Sequence, residues 1–173
     1  MTLPFDIPVL ETERLRLRGP AESDLAAIRA FGQSERTKFI GGKTDEFGAW
    51  RILAAGIGHW ALRGYGLWSV DRKADETFVG RVGVIYPAGW PEPELAWHLF
   101  DGFEGKGYAH EAALAARAHA SQAWGMGPLI SLVHEDNDRS NALARRLGAT
   151  IERTEDHDGQ NIHVYRHPEP EAV

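Results

Sequence analysis

A glycine-rich loop that leads directly into an alanine-rich segment is the feature that most constrains this chain. The stretch FEGKGYAHEAA, residues 103–113, places Gly105 and Gly107 one residue apart. Eight alanines lie between Ala109 and Ala123, and alanine is the strongest helix former. Glycine lets a ligand approach the backbone closely, and the first N–H groups of a helix are free to donate. The stretch therefore predicts a helix N-terminus that can bind a phosphate or pyrophosphate, although a simple tight turn would use the same glycines.

Other ligand-binding motifs do not fit this stretch. A P-loop requires Ser or Thr after its Gly-Lys pair, whereas Gly107 follows Lys106 here. A dinucleotide fingerprint requires a third glycine where His110 stands. A zinc-binding helix that begins at His110 would need a second histidine at Leu114. We therefore expect an anion site with Lys106 at its rim, and no metal site.

Composition narrows the class of protein. The chain has 173 residues, of which 43% are hydrophobic and 25% charged, as in one soluble globular domain. We expect this domain to span residues 1–173, with a core over about 11–166 and a frayed tail at 168–173. The formal net charge of −6 argues against a nucleic-acid partner, and the lack of cysteine excludes disulfides and a catalytic thiol. With no apolar stretch of about 18 residues and no signal peptide, we expect a cytoplasmic location and no membrane partner.

Hydrophobic periodicity predicts the element order β-α-α-β-β-β-α-β-α-β-β, which is typical of a mixed α/β sheet flanked by helices. Strands are predicted at residues 14–18, 67–70, 77–86, 94–100, 129–134, 149–154 and 162–166. Helices are predicted from Ser23, which would cap the first of them, and at residues 44–55, 108–124 and 138–147. The glycines between Gly56 and Gly66 are expected to loosen the chain after the second helix, and Asp158–Gly159 to turn the last hairpin.

A second informative stretch is HEDNDRSNALARRLGA, residues 134–149. Asn137 and Ser140 fall where a predicted strand ends and a helix begins. Side chains of Asn and Ser at such positions commonly cap the helix, and capping alone would explain both residues. By itself, this stretch leaves open whether they do more.

The two stretches together carry a family resemblance. The element order, with GKGYAHEA after one strand and NDRSNALARRLGA after the next, resembles the GNAT superfamily of acetyl-CoA-dependent N-acetyltransferases. TERLRLRGPAESDL, VGRVGV and ELAWHLF are similar to the branch that includes the ribosomal-protein N-terminal acetyltransferases. The resemblance covers roughly residues 11–166, and the two motifs in this order are far more specific than either alone.

The resemblance implies that acetyl-CoA is a co-substrate. The residues that it implies for cofactor binding are Leu99, Phe100, Gly105, Lys106, Gly107, Tyr108, Ala109 and Asn137. Backbone amides of residues 105–109 would hold the CoA pyrophosphate, the strand that precedes them would pair with the pantetheine arm, and Ser140 would lie near the sulfur. Glu104 departs from the family pattern, which has Gln or Arg there, so we expect its side chain to point away from the diphosphate.

Acetyl transfer to an amine requires a group that accepts a proton, because an amine like that of lysine is mostly charged at neutral pH. Glu94, which begins the ELAWHLF strand, is the candidate base, since burial beside Trp90 or Trp97 would raise its pKa. His98 is a rival base, because period two places it on the same strand face. An ordinary surface role for Glu94 also stays open at this point.

Two further groups complete the expected chemistry. Ser140 is a candidate proton donor to the departing sulfur, and a strand N–H near Leu99 is a candidate for polarising the thioester carbonyl. Because the chain has no cysteine, we expect direct attack in a ternary complex. The alternative is a module of the same fold that binds CoA or another nucleotide and transfers nothing.

The acceptor amine is less constrained. Glu92, Glu94 and Asp156 would make the cleft acidic and suit a cationic acceptor. A peptide N-terminus and a small amine such as a polyamine or an aminoglycoside all fit this expectation. Homodimers are common among similar proteins, and the residues leave the oligomeric state open.

Overall fold

The computed structural model describes residues 5–169 and shows one eight-stranded sheet with four α-helices. The strands are β1 (Leu10–Glu11), β2 (Leu15–Arg18), β3 (Leu67–Arg72), β4 (Thr77–Ile85), β5 (Glu94–Leu99), β6 (Ile130–His134), β7 (Thr150–His157) and β8 (Gln160–Arg166). The helices are α1 (Leu25–Gly32), α2 (Glu46–Arg63), α3 (Tyr108–Trp124) and α4 (Asp138–Arg146), with short 3-10 helices at Glu22–Asp24 and Glu35–Phe39.

The order of strands in the sheet is β1-β2-β3-β4-β5-β6-β8-β7. Only the β5–β6 pairing is parallel among the pairs of this sheet that the structure describes; the others are antiparallel. The predicted mixed α/β sheet is therefore confirmed. The last residues of the predicted frayed tail, 170–173, lie outside the described residues.

The second helix is longer than the sequence predicts. Helix α2 continues through Gly56 and Gly58 as far as Arg63, and it ends at Gly64, whose φ is 76°. Glycine in a helix is unfavourable by about 1 kcal/mol, so other contacts must hold this helix. Trp60 provides such a contact, because it is buried near the end of α2 and packs edge-on against Trp68. The prediction that glycines loosen the chain after residue 55 is wrong for the first two of them.

The start of α1 also differs from the prediction. The Ser23 side chain caps neither this helix nor the 3-10 turn before it. Asp24 takes the place next to α1, where its buried carboxylate accepts hydrogen bonds from the Ala21 N–H, from Arg18 and from the Ser69 hydroxyl. A carboxylate that binds one arginine bidentately stabilises the turn more than an exposed serine can.

The alanine-rich helix α3 packs closely on the sheet because its inner face is small. Ala112, Ala113, Ala116 and Ala120 are fully buried in the main core cluster. Val84 and Leu95, which face each other across β4 and β5, are fully buried in the same cluster. This packing fixes the position of the N-terminus of α3 relative to the end of β5.

The sheet parts between β5 and β6. Their register contains one residue pair, Glu94 opposite Ile130, and the two strands diverge beyond it. At this point, hydrogen bonds from side chains take the place of the missing main-chain hydrogen bonds between the two strands. The Ser131 hydroxyl donates to the Leu95 carbonyl at 2.6 Å, and the Glu94 carboxylate accepts the Leu132 N–H at 3.0 Å.

A buried histidine supports the parted strands. His167 is 1% exposed, and its Nε2 lies 2.8 Å from the Ser131 hydroxyl oxygen while its Nδ1 lies 3.1 Å from an Arg117 nitrogen. Because arginine can only donate, Nδ1 accepts, and the neutral ring must carry its proton on Nε2. The Nε2–H donates to the Ser131 hydroxyl oxygen, and the Ser131 hydroxyl donates to the Leu95 carbonyl. Each of these buried groups therefore has a hydrogen-bond partner.

The Ser131→Ala variant tests this support. Removing the hydroxyl leaves the Leu95 carbonyl and the His167 Nε2–H buried without partners, so we expect the free energy of unfolding to fall by about 1–3 kcal/mol. Urea titration measures it. The control is Ser23→Ala at an exposed serine, which should change stability by less than about 0.5 kcal/mol. Equal stabilities of the two variants would contradict the assignment.

Candidate functional site

A groove of about 740 Å³ runs from the N-terminus of α3 into the gap between β5 and β6. Five segments form its walls: the end of β5, the glycine loop, α4 with the turn before it, the 3-10 helix Glu35–Phe39, and Phe31 near the end of α1. A smaller cavity of about 60 Å³ continues it between the parted strands, and Glu94 lines that part. The groove and the cavity share Trp97, His98, Asn137 and Ser140.

The glycine loop presents free N–H groups to the groove. Gly105 and Gly107 have φ values of 73° and 80°, a backbone conformation that favours glycine. The first α-helical hydrogen bond of α3 runs from the Glu111 N–H to the Gly107 carbonyl. Apart from the turn at residues 104–105, no hydrogen bond within residues 5–169 has an N–H group of 105–109 as its donor. A helix N-terminus with several free donors is suited to bind an anion.

Arg14 holds this loop in place from the neighbouring strand segment. One of its terminal nitrogens donates to the Lys106 carbonyl at 2.8 Å, and its Nε donates to the Glu111 carboxylate at 2.7 Å. Glu111 also accepts the Thr12 hydroxyl at 2.6 Å. These hydrogen bonds fix the position of the glycine loop. They use the loop's Lys106 carbonyl and leave its N–H groups available to a ligand.

The structure brings most of the predicted cofactor residues together. Those that line the groove are Leu99, Gly105, Gly107, Tyr108, Ala109 and Asn137, and the predicted catalytic residue Ser140 lines it too. Two others lie elsewhere. Phe100 is buried against Phe31 and Phe78, and its N–H donates to the Val79 carbonyl of β4. The Lys106 ammonium lies 5.9 Å from the ring centre of Phe103 and outside the groove lining.

Glu104 lines the groove, and its carboxylate lies beside two arginines. That this carboxylate points away from the diphosphate stays a prediction. Arg36 compensates its charge at 3.3 Å, and Arg139 lies 3.9 Å away. The main-chain N–H of Glu104 and the Arg36 charge hold the pKa of Glu104 below its usual value. Arg36 also donates to the Leu99 carbonyl at 2.9 Å, and so it ties the 3-10 helix across the end of β5.

Asn137 and Ser140 meet at the start of α4. The Asn137 side-chain oxygen accepts the Ser140 N–H at 3.3 Å, which is the capping role that their positions predict. Both side chains also line the groove. The Trp97 indole N–H donates to the Ser140 hydroxyl oxygen at 3.2 Å across the gap, so the hydroxyl proton of Ser140 is left to be donated elsewhere.

Glu94 is a buried carboxyl group at the closed end of the gap. It is 7% exposed, and its two oxygens accept the Trp90 indole N–H at 2.6 Å and the Leu132 N–H at 3.0 Å. Burial raises the pKa of Glu94 to about 7, although both hydrogen bonds act against the rise. A carboxyl group with such a pKa can take up or release a proton near neutral pH.

His98 stands on the same strand face as Glu94 and lines both cavities. It pairs with Arg81 across β4 and β5, and an Arg81 nitrogen lies 3.3 Å from its Nδ1. Burial, with the Arg81 charge, lowers the pKa of His98 to about 3. At neutral pH the ring is therefore uncharged and a poor proton acceptor.

Sequence reasoning missed the 3-10 helix Glu35–Phe39. Arg36 and the aromatic ring of Phe39 in this helix both line the groove. This short polar segment has no periodicity that would assign it to a site. The Arg81–His98 pair was also missed, because it depends on the register between β4 and β5.

Comparison with known proteins decides the family. Residues 14–150 match the family model described as Acetyltransferase (GNAT) domain. The chain belongs to the GNAT family of acetyltransferases. The match covers most of the chain, and it identifies an acyltransferase of the N-acetyltransferase kind, in a family that uses acetyl-CoA as co-substrate.

Individual relatives agree with this family. An uncharacterized N-acetyltransferase of Bacillus subtilis strain 168, YoaA, is 26% identical over 146 residues, which cover 82% of each chain. The crystal structure of an acetyltransferase from Agrobacterium tumefaciens C58 is 35% identical, with a TM-score of 0.87 over 98% of this chain and 99% of that one. RimL, a ribosomal L7/L12 α-N-protein acetyltransferase in complex with coenzyme A, shares the fold at 19% identity, with a TM-score of 0.74 over 91% and 96% of the two chains.

Residues 5–169 contain neither a cluster of metal-ligating side chains nor a helix that could cross a membrane. No group of three or more histidine, cysteine, aspartate or glutamate side chains in this range is placed to hold a metal ion. Among the helices described, none has the length and apolar character needed to cross a membrane.

The raised pKa of Glu94 predicts a pH-dependent contribution to stability. Between its unfolded value of about 4.5 and its folded value of about 7, the folded protein holds a proton that the unfolded chain has lost. Because the unfolded chain binds fewer protons than the folded protein in this window, the free energy of unfolding falls as the pH rises through it. We expect the stability difference between Glu94→Gln and the wild type to move in favour of the variant from about pH 5 to about pH 7.5, measured by urea unfolding.

Glu92→Gln is the matched control. Arg166 lowers the pKa of Glu92, so the stability from Glu92 is fully present above about pH 4.5 and is lost only below it. Its difference from the wild type should stay constant over the same pH range. A constant difference for Glu94→Gln as well would contradict the buried, proton-holding carboxyl group.

Proposed function

We propose that this protein transfers the acetyl group of acetyl-CoA directly to a primary amine that binds in the cavity beside Glu94. The observation that carries the proposal is the alignment of three features along one groove: free N–H groups at residues 105–109, the parted strands, and a buried carboxyl group with a pKa near neutrality. Family membership supports acetyl transfer, and this alignment supports the particular route.

The groove suits the co-substrate in charge and shape. The N–H groups of the glycine loop would hold the diphosphate, since they are unpaired donors at a helix N-terminus. The pantetheine arm would follow the gap, where main-chain groups of β5 are exposed. Phe100 donates its N–H to β4, so strand alternation turns the N–H and carbonyl of Trp97 and Leu99 toward the gap. Because Arg36 already donates to the Leu99 carbonyl, the main chain of Trp97 would be the main hydrogen-bond partner of the pantetheine arm.

Glu94 would act as the base. In the reaction the amine nitrogen bonds to the acetyl carbon, the carbon–sulfur bond breaks, and the nitrogen loses one proton. Glu94 accepts that proton directly or through one water, and it can do so because its pKa lies near 7 rather than near 4. His98 would be a much weaker base than Glu94, because burial and the Arg81 charge lower the pKa of its ring to about 3.

Ser140 would supply the proton to the leaving sulfur. Its hydroxyl oxygen accepts from Trp97 and its own proton is uncommitted within the described chain, so it can donate toward the gap. The Trp97 main-chain N–H would stabilise negative charge on the carbonyl oxygen. Glu94 then returns the proton it accepted to the Ser140 oxygen through water, so both groups end as they began. Overall, the amine becomes an amide, coenzyme A leaves as a thiol, and an acceptor that starts as an ammonium ion releases one further proton to water.

Gly107→Ala tests the anion site. Gly107 begins α3 at φ 80°, and a Cβ there would lie 3.3 Å from the Arg14 guanidinium that holds the loop. We expect coenzyme A to bind about tenfold more weakly, because both the loop and its donors shift. Isothermal titration calorimetry measures the dissociation constant.

Gly125→Ala is the matched control for backbone strain. Gly125 ends the same helix at φ 64°, and a Cβ there would meet no atom within 4 Å. Each variant should lose about 1 kcal/mol of stability, but only Gly107→Ala should lose coenzyme A affinity. Equal affinities in the two variants would show that the diphosphate binds elsewhere.

Glu94→Gln tests the base. We expect kcat to fall by about 10²–10⁴-fold while coenzyme A affinity is kept, because only proton removal is lost. In the wild type, kcat/KM should rise with pH to a plateau above about pH 7, as Glu94 ionises, and the variant should lack this step.

A panel of amines, with release of free thiol as the readout, provides the measurement. Full activity of the Glu94→Gln variant would remove Glu94 from the mechanism. Tight coenzyme A binding with no turnover on any amine would favour a binding module instead.

A further inference from the structure

His98 occupies a position in the cavity that the proposed reaction leaves without a role. Its partner Arg81 is 8% exposed and projects from β4 directly opposite it. The Arg81 terminal nitrogen lies 3.3 Å from His98 Nδ1. A guanidinium group has donors and no acceptor, so Nδ1 must accept and the ring proton must sit on Nε2. Arg81 thereby fixes one tautomer of a neutral histidine.

The Arg81 side chain is buried close to a negative charge. Asp24 supplies the negative charge that acts on Arg81, and the same carboxylate binds Arg18 and the Ser69 hydroxyl. Ser69 is the β3 residue opposite Arg81, so the three strands present Ser69, Arg81 and His98 in one row. The orientation of His98 is thus set by buried groups rather than by solvent.

His98 lines the cavity, and its other ring nitrogen, Nε2, has no hydrogen-bond partner within the described part of the chain. Nε2 is not among the fully buried atoms that lack a partner, so it is accessible to solvent. Glu94, Ala96 and His98 follow one another on the same strand face and line the same cavity. Their spacing puts the Cα atoms of the first and third about 13 Å apart, with only a methyl side chain between them.

We propose that His98 is a specificity-determining residue, whose Nε2–H donates a hydrogen bond to an oxygen of the acceptor while Glu94 receives the proton from its amine through one bridging water. The inference rests on the proposed function. The acceptor is then an amine that carries a hydrogen-bond-accepting oxygen, such as an amide carbonyl, a few bonds from the attacking nitrogen. A plain alkylamine that displaces water from the Nε2–H leaves this donor unpaired, and such a donor discriminates strongly against a ligand that lacks its acceptor.

Two acceptor amines of similar size can distinguish a role of His98 in specificity from a structural role: L-alaninamide has the carbonyl, and sec-butylamine lacks it. In the wild type, kcat/KM should be higher for L-alaninamide than for sec-butylamine. In His98→Phe, which keeps a ring, the ratio of kcat/KM for the amide to that for the alkylamine should fall by about tenfold or more. Because each acceptor is compared with itself in the two proteins, the different pKa values of the amines cancel.

His98→Gln provides the rescue. Its amide nitrogen can donate from nearly the same position, so part of the lost ratio should return. Long-range ¹H–¹⁵N NMR of the wild type, with the His98 signals identified by their absence from His98→Phe, should show the proton on Nε2.

A proton on Nδ1, or an unchanged ratio in His98→Phe, would overturn the role of His98 alone. Failure of the wild type to acetylate any amine would instead overturn the proposed function, and this inference with it.

Discussion

The parting of β5 from β6 is the constraint on which the rest of the structure depends. Two adjacent parallel strands would ordinarily bond along their length, but here the register holds a single pair and side chains take over. Ser131 bonds the Leu95 carbonyl, and Glu94 accepts the Leu132 N–H. These bonds satisfy the backbone at the closed end of the gap, and the open end is left for a ligand that can itself hydrogen-bond to a strand edge.

Glu94 has both a structural and a chemical role at the closed end of the gap. As a structural group it accepts one main-chain and one indole N–H, and as a chemical group it has a pKa near 7 because it is buried there. His167 sits behind the gap with the opposite behaviour, since burial and the nearby arginines lower its pKa to about 4. Acidification therefore favours the folded state at Glu94 and opposes it at His167, within overlapping pH ranges.

Much of this architecture could be predicted from the sequence, because the strongest signals are local. The bounds of α3 follow from its alanines and glycines, and the Asp158–Gly159 turn from its residue types. The features that the sequence did not predict depend on tertiary contacts. Helix α2 runs through Gly56 because buried residues on both sides of it hold the helix. The loop donors were predicted, whereas Arg36 and the Arg81–His98 pair depend on segments that meet only after folding.

The most direct test is an NMR titration of the ¹⁵N-labelled protein with coenzyme A, following every backbone amide. If the free N–H groups at the start of α3 hold the diphosphate, the largest saturable shifts will fall on residues 105–109, with smaller ones at Trp97 and Asn137 along the gap. Shifts that cluster elsewhere, or an unchanged spectrum at saturating coenzyme A, would contradict the account.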